Sequence, residues 1–223
     1  MRDFALRIAI RKTIVKSRKQ TDKLRGNSNR FTAKAFRPYA EAIGHVALAW
    51  NDLHETLGTI FTEVGFEGSD RAQAAWQSLI VDRAKREMLK AVLTAMTEFD
   101  SLEFPTFRED VIWIIEQAHA SEDGRNSAIH TPLLLHDHPI WQEIDESSGI
   151  SPFSFRGNTR AKRLRQKDVL VEYRYHRDKF ITLQKFADEL LYWRRGTPWP
   201  KRPRLPSRKQ RKTPQGQRRA SFA

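Results

Sequence analysis

The 223-residue chain contains no cysteine. This absence excludes disulfide bonds, cysteine-ligated zinc, iron–sulfur clusters and a thiol nucleophile. No apolar run approaches the ~18 residues that a membrane-spanning helix needs. The first residues also lack the apolar core of a secretory signal, because Arg7, Arg11 and Lys12 interrupt them. We therefore expect a cytoplasmic protein with no membrane attachment, and an arginine-rich organellar transit peptide is the less favoured alternative.

Apolar residues are scarce, at 39% of the chain against 30% charged residues, so part of the chain is expected to lie outside any core. The charge falls into blocks. Residues 1–37 carry a net charge of +10 and residues 196–223 a net charge of +9, whereas 38–150 carry −13 and 151–195 carry +7. Basic arms attract polyanions by releasing condensed counterions. This favours contact with nucleic acid over the alternatives, which are solubility and self-association of the arms with the acidic body.

The C-terminal arm, 195–223, is rich in proline and contains no acidic residue. Prolines lack a backbone donor and like charges repel, so the arm cannot bury enough surface to offset the entropy of ordering. We predict that it is disordered. We also predict that nucleic acid contacts its basic residues Lys201, Arg202, Arg204, Arg208, Lys209, Arg211 and Lys212. In the N-terminal arm, 1–37, the apolar spacing predicts a helix over 4–18 followed by a polar linker over 19–36.

Between the arms, residues 38–194 are predicted to form an all-α domain. Apolar side chains recur there at the three- and four-residue spacing of a buried helix stripe. The four stripes cover 38–64, 72–99, 107–130 and 168–194. Long helices without a convincing run of strands are typical of a helical bundle.

A loop over 132–167 separates the third and fourth predicted helices. A structureless loop of this length is uncommon inside a compact domain, so a short hairpin or a single helical turn is expected within it. Its end is the most basic part of the body. We predict phosphate contacts there, against the alternative of a solvated face, by Arg156, Arg160, Lys162, Arg163, Arg165 and Lys167.

The third predicted helix changes from apolar to polar near its end, where Arg125, Asn126 and His130 lie close together in the sequence. On a continuous helix, Arg125 and His130 would be about 140° apart in projection and about 7.5 Å apart along the axis. Arginine offers a planar donor fork that suits phosphate. Histidine can move protons in both directions near neutral pH. The pattern therefore indicates a groove that binds a phosphate ester and transfers protons to or from it.

The run Arg125-Asn126-Ser127-Ala128-Ile129-His130 resembles the motif of the higher eukaryotes and prokaryotes nucleotide-binding (HEPN) family. Ribonuclease members of that family carry Arg and His separated by four to six residues, frequently with Asn directly after the Arg. The resemblance covers about residues 38–194 and implies a HEPN-like four-helix bundle with Arg125, Asn126 and His130 as catalytic residues. The long loop before the last helix is not a required family feature.

The resemblance further implies metal-independent RNA cleavage, without a cofactor, at a composite site in a homodimer. We therefore expect an endoribonuclease, in the role of a toxin or defence effector with an inhibitor or antitoxin partner. The alternative is a non-catalytic nucleic-acid-binding or adaptor protein. A third reading is a structural bundle whose arms dock on a partner protein.

Simpler roles remain open for the same residues. Arg125 could form a surface salt bridge with Glu122 or Asp123, and His130 could cap a helix C-terminus, where the helix dipole favours a cation. His136 and His138 flank an aspartate in the loop, but this is a weak metal motif that a polar turn explains better. His45, His54 and His119 are expected to be packing or surface residues. Asp52 and Glu55 could orient the Arg or the His.

Overall fold

The computed structural model describes residues 2–96, 106–135, 150–152, 159–164 and 167–208. Seven helices lie within these ranges: α1 Arg2–Phe66, α2 Asp70–Ser78, α3 Asp82–Ala95, α4 Phe107–His119, α5 Glu122–His130, α6 Thr159–Leu164 and α7 Val169–Leu191. Two short strands, β1 Leu133–Leu135 and β2 Ile150–Pro152, pair antiparallel with Leu133 opposite Pro152. The described chain is thus predominantly helical, which confirms the all-α prediction. None of its described helices is long and apolar enough to cross a membrane.

Helices α1 and α7 form the centre of the fold and pack along each other. Their contact is built from the predicted stripes, because Trp50 and Leu53 of α1 are fully buried, as are Phe180 and Leu183 of α7. The rings of Trp50 and Phe180 meet edge to face with centroids 5.0 Å apart. Helices α2 and α3 pack on α1, α4 packs on α7 and α3, and α5 packs on both α1 and α7. This arrangement places α5 across the central pair.

Two of the predicted helices are each divided in two. The stripe over 72–99 is interrupted between α2 and α3, where Leu79 and Val81 have extended backbone and Ile80 is 96% exposed. Trp50 Nε1 donates to Asp82 Oδ2 at 2.8 Å, which ties the start of α3 to α1. The predicted helix over 107–130 breaks between α4 and α5 at Ala120. The spacing of apolar residues could not predict the break between α2 and α3, because the apolar pattern continues through it. The tertiary contact between Trp50 and Asp82 fixes this break.

The N-terminal prediction of a linker over 19–36 is wrong, because α1 runs without a break from Arg2 to Phe66. Lysine, arginine, glutamine and alanine in that segment are compatible with a helix. Pro38 lies inside α1 and removes one backbone donor without ending the helix. The boundary expected between residues 37 and 38 therefore does not coincide with a helix end.

The remaining predicted elements are close to those observed. The predicted last helix, 168–194, corresponds to α7, and Asp168 caps it by accepting a hydrogen bond from the Val171 backbone N–H at 3.1 Å. The long loop contains the β1–β2 pair and the six-residue α6, where a short hairpin or a single helical turn was expected. The connection over 136–149 lies outside the described residues.

The C-terminal arm is not disordered in its first part. Residues 196–208, which we name the strap, pack against the body, and Trp199 and Leu205 contact the hydrophobic core. Trp199 Nε1 donates to Asp110 Oδ2 at 2.9 Å, and Arg202 Nε donates to Asp110 Oδ1 at 2.6 Å. The prediction of disorder is therefore wrong for 196–208, because a buried carboxylate of α4 anchors the strap. Residues 209–223 lie outside the described residues.

Candidate functional site

All three predicted catalytic residues lie on the nine-residue helix α5. The helix turns Ser127 and Ala128 inward, whereas Ile129 and His130 are exposed at its C-terminal end. The five-residue spacing separates Arg125 and His130 by about 140° around the axis and about 7.5 Å along it. The two side chains therefore originate on different faces of one short helix.

The side chain of Arg125 is partly buried, and its Nη1 donates to Asn126 Oδ1 at 3.0 Å. Its Nε is buried and has no hydrogen-bond partner within the described ranges. His130 is the last residue of α5, where a protonated imidazole would interact favourably with the helix dipole. The side chains of Arg125 and Asn126 are thus in contact, and His130 is exposed at the C-terminal end of α5.

The acidic residues beside Arg125 have other partners. Glu122 accepts a hydrogen bond from Arg86 Nη2 at 2.9 Å, and Asp123 accepts one from Arg163 Nη1 at 2.8 Å. Neither acid forms the surface salt bridge with Arg125 that was the alternative to a functional role. The guanidinium of Arg125 therefore retains donors that an anionic ligand could use.

A buried arginine holds the N-terminal end of α5. Arg86 of α3 has no exposed surface, and its Nη1 lies 2.9 Å from His54 Nε2 while Nη2 binds Glu122. Its guanidinium also lies over the ring of Trp50, 5.1 Å from the centroid. Arg86 was not among the residues predicted from the sequence. The pattern that could have identified it is a cation in the same helical stripe as Leu89 and Leu93, where an apolar residue is expected.

The hydrogen bonds of His54 define its tautomer. Nδ1 lies 3.0 Å from the Trp50 carbonyl oxygen, which can only accept, so Nδ1 carries the proton. Nε2 is then free of a proton and accepts from Arg86. Burial is the main cause that lowers the pKa of His54 to about 4. His54 is therefore a neutral, buried link between α1 and Arg86, consistent with the packing role expected for it.

Gly124 allows α5 to approach α7 closely. A Cβ atom at this position would lie 2.1 Å from Cε1 and 2.2 Å from Nε2 of His176, which is impossible without movement. His176 is itself buried, and burial is the main cause that lowers its pKa to about 4. The position of α5 is thus determined at Glu122 by a hydrogen bond and at Gly124 by direct packing.

The predicted nucleic-acid-binding residues divide into two groups where the structure describes their side chains. Arg163, Lys167, Arg202 and Arg208 each form an ion pair with an acid of the body. Arg160 on α6 and Lys201 and Arg204 on the strap are exposed. Lys162 lies in α6, which packs against α5. Arg156, Arg165, Lys209, Arg211 and Lys212 lie outside the described residues.

Metal ligation and orientation of the site by carboxylates were further candidate features. No group of three or more His, Asp or Glu side chains that could hold a metal occurs among the residues that the structure describes, and His136 and His138 are not among those residues. Asp52 and Glu55 are exposed on α1, and neither is in a hydrogen bond or ion pair with Arg125 or His130.

Comparison with known proteins identifies no relative: no family model matches the chain, and no curated protein or solved structure matches it.

Proposed function

We propose that the protein is a metal-independent endoribonuclease whose catalytic residues are Arg125, Asn126 and His130, contributed by two copies of the chain. The observation that carries this proposal is the arrangement on α5. An exposed imidazole and a guanidinium that meets no carboxylate among the described residues lie on one short helix. A HEPN-like bundle with these residues is part of the same proposal.

The reaction needs a base, an acid and a cation. The base removes the proton of a ribose 2′-hydroxyl, and the 2′-oxygen attacks the adjacent phosphorus. The bond from phosphorus to the 5′-oxygen breaks, and an acid protonates that leaving oxygen. The products are a 2′,3′-cyclic phosphate and a 5′-hydroxyl. Arg125 would stabilise the charge that develops on the phosphoryl oxygens.

One chain supplies one imidazole of this kind, whereas the reaction uses a base and an acid. A two-fold axis would place two copies of His130 and Arg125 at one centre. Ile129 supports an interface here, because it is 37% exposed directly beside His130. In a cell the activity of such an enzyme would need to be inhibited. We propose that an inhibitor or antitoxin partner covers α5 in the cytoplasm.

Cleavage of a mixed RNA substrate by the full chain in the presence of EDTA tests this function. His130→Ala and Arg125→Ala should each reduce cleavage on the order of 10²- to 10⁴-fold, the range expected for loss of a general acid–base or a charge-stabilising group. His119→Ala is the matched control, because His119 is exposed on α4. RNA that carries 2′-O-methyl groups should resist cleavage. Full activity of His130→Ala would exclude the proposed role of this residue.

A mixture of the two inactive variants tests the composite centre. If each centre needs two histidines and two arginines, mixed dimers of His130→Ala and Arg125→Ala should remain impaired. If the His of one chain acts only with the Arg of its partner, activity should partly return. Cleavage that is equal in monomeric and dimeric fractions would contradict a shared site.

Nucleic-acid binding without cleavage is the second candidate, and the exposed side chains of Arg160, Lys201 and Arg204 favour it. In this case, affinity for RNA should fall steeply with salt concentration. Replacement of each of these residues by Gln should reduce the slope of log affinity against log salt by about 1. His130→Ala would leave the slope unchanged, which separates binding from catalysis.

A further inference from the structure

Glu172 on α7 is approached by basic side chains from three segments of the chain. Lys167 Nζ lies 3.3 Å from Glu172 Oε2, and His176 Nε2 lies 3.7 Å from the same oxygen. Arg208 of the strap places its Nε 3.4 Å from Glu172 Oε1. Glu172 is only 8% exposed. One nearly buried carboxylate therefore pairs with two cations, Lys167 and Arg208, and lies beside the imidazole of His176.

Lys179 adds a further positive charge on the same face of α7, seven residues after Glu172. Residues separated by four and seven positions share a helix face, so Glu172, His176 and Lys179 follow one another along α7. Lys179 is 7% exposed and forms no ion pair with any acid in the described part of the chain. Burial, and then the positive charge of Arg208, lower the pKa of Lys179.

We name Lys167, Glu172, His176, Lys179 and Arg208 the Glu172 cluster. Lys167, Lys179 and Arg208 bring three positive charges and Glu172 brings one negative charge. His176 is neutral at pH 7 because its pKa is about 4. The cluster therefore has a net charge of +2, with Lys179 buried and the side chains of Lys167 and Arg208 36% and 53% exposed. The buried charge of Lys179 costs free energy, which an anion with several acceptor oxygens would offset.

We propose that the Glu172 cluster binds a phosphate group, with Lys179 and Arg208 as its main donors. An ammonium and a guanidinium together supply the charge-assisted hydrogen bonds that phosphate oxygens accept. Arg208 is held in position, because its guanidinium also lies over the ring of Tyr175, 5.0 Å from the centroid. Lys167 completes the positive rim, and Glu172 orients the cations without neutralising all of them.

The position of the cluster relates it to α5. His176 belongs to the cluster and packs directly beneath Gly124. A phosphate bound here would therefore adjoin the helix that carries Arg125 and His130. The phosphate could belong to the backbone of an RNA or to a free phosphate compound. Binding at the cluster does not depend on the proposed cleavage reaction and can be tested separately.

Inorganic phosphate is the probe for the first experiment. The effects of phosphate and of chloride on the full chain are compared at the same ionic strength, by thermal unfolding and by calorimetric titration. Phosphate should raise the unfolding temperature of the wild type in a saturable manner. Lys179→Met should weaken phosphate binding about tenfold or more, the loss expected when a charged hydrogen-bond donor is removed. Lys185→Met is the matched control, because Lys185 is exposed on the same helix.

A second pair of variants keeps the test independent of the behaviour of Lys179→Met. Arg208→Gln should also weaken phosphate binding, whereas Arg194→Gln, at an exposed position just before the strap, should not. Without phosphate, Lys179→Met should unfold at a higher temperature than the wild type, because an unpaired buried charge is removed. Equal effects of phosphate and chloride on the wild type would overturn the proposal. So would wild-type phosphate affinity in both Lys179→Met and Arg208→Gln.

Short uridine oligomers identify the source of the phosphate. If an oligomer without a terminal phosphate competes with inorganic phosphate in the wild type but not in Lys179→Met, the cluster binds a phosphodiester of RNA. If only the 5′-phosphorylated oligomer competes in this manner, it binds a terminal phosphate. His130→Ala should retain the full phosphate response. This result would distinguish failure of the cleavage proposal from failure of the binding proposal.

Discussion

Arg86 and Glu122 form an ion pair of unequal burial: the arginine side chain has no exposed surface, whereas the glutamate side chain is 28% exposed and lies 2.9 Å away. The pair joins α3 to the first turn of α5. His54 accepts from the other end of the same guanidinium, so the contact extends to α1. The position of the helix that carries Arg125 and His130 therefore depends on a cation that is buried away from the site.

This unequal burial predicts an unequal cost of removing the two partners. Glu122→Ala leaves a buried guanidinium without its carboxylate and should lower the free energy of unfolding by about 3–5 kcal/mol. Arg86→Met leaves a partly hydrated glutamate and should cost about 1–3 kcal/mol. Urea unfolding measures both values. Asp123→Ala, at an exposed neighbouring position, is the control and should have little effect. A larger cost for Arg86→Met would contradict the prediction.

Two glycines in helices should respond in opposite directions to alanine. Gly124→Ala forces a Cβ atom into the ring of His176 and should destabilise the fold by about 1–3 kcal/mol, the range for overpacking. Gly44→Ala introduces a Cβ atom in α1 with no other atom within 4 Å. It should stabilise the fold by about 0.5–1 kcal/mol, because alanine favours the helix. Thermal unfolding of the two variants checks the opposite signs.

If contact of the new Cβ atom with His176 causes the destabilisation by Gly124→Ala, the double variant Gly124→Ala/His176→Ala should lose less stability than the sum of the losses of the two single variants. Additive costs would place the effect of Gly124→Ala elsewhere.

Asp110 should control the release of the strap. Asp110→Asn removes the charge that pairs with Arg202 and leaves one oxygen in place of two for Trp199 Nε1 and Arg202 Nε. We expect a loss of about 1–3 kcal/mol in the free energy that holds the strap, as for a hydrogen bond to a charged group. Trypsin should then cleave faster after Lys201 or Arg204, whereas Pro203 protects the bond after Arg202. Glu109→Gln, exposed on the same helix, should leave the cleavage rate unchanged.

The two buried histidines predict a loss of stability in mild acid. The pKa values of His54 and His176 are lowered to about 4 in the folded protein, from 6.5. Between these pH values the unfolded chain binds protons that the folded chain does not. Stability should therefore fall as pH falls below about 6.5 and stop falling from this cause near pH 4. Each histidine contributes a slope of up to about 1.4 kcal/mol per pH unit.

Urea unfolding at several pH values measures this slope. His54→Gln keeps an acceptor for Arg86 but cannot be protonated, so it should reduce the slope by about one proton. His119→Gln, on the surface of α4, is the control and should retain the wild-type slope. A slope that is the same in His54→Gln and the wild type would show that His54 does not titrate as its burial requires.

The apolar stripes of the sequence were sufficient to predict the helical class and the buried faces of α1 and α7, but not that these two helices pack along each other. They could not reveal the interruption between α2 and α3, since Ile80 continues the apolar pattern and is nevertheless exposed. The hydrogen bond from Trp50 to Asp82 connects residues 32 positions apart, and no local pattern encodes such a contact. The polar linker was predicted from composition, but long polar side chains are compatible with the outer part of a helix.

The sequence placed Arg125, Asn126 and His130 together but did not reveal the buried charged residues that hold α5, anchor the strap and belong to the Glu172 cluster. Arg86, Asp110 and Lys179 occupy or adjoin apolar stripes, and each is at most 7% exposed. A charged residue within such a stripe was the feature of the sequence that could have identified them. The strap was predicted to be disordered because proline and positive charge oppose a self-contained fold, but Asp110 supplies the binding energy from outside the segment.

The separation of the strap from its anchor has a consequence for biosynthesis. Asp110 precedes its partners Trp199 and Arg202 by 89 and 92 residues. At a synthesis rate of roughly 5–20 residues per second, the ribosome adds Arg202 about 5–18 s after Asp110. During this interval the hydroxyl of Thr106, the residue directly before α4, can still donate to the carboxylate of Asp110. Until the strap is made, the carboxylate of Asp110 and the ring of Phe107 therefore lack the contacts that Trp199 and Arg202 provide.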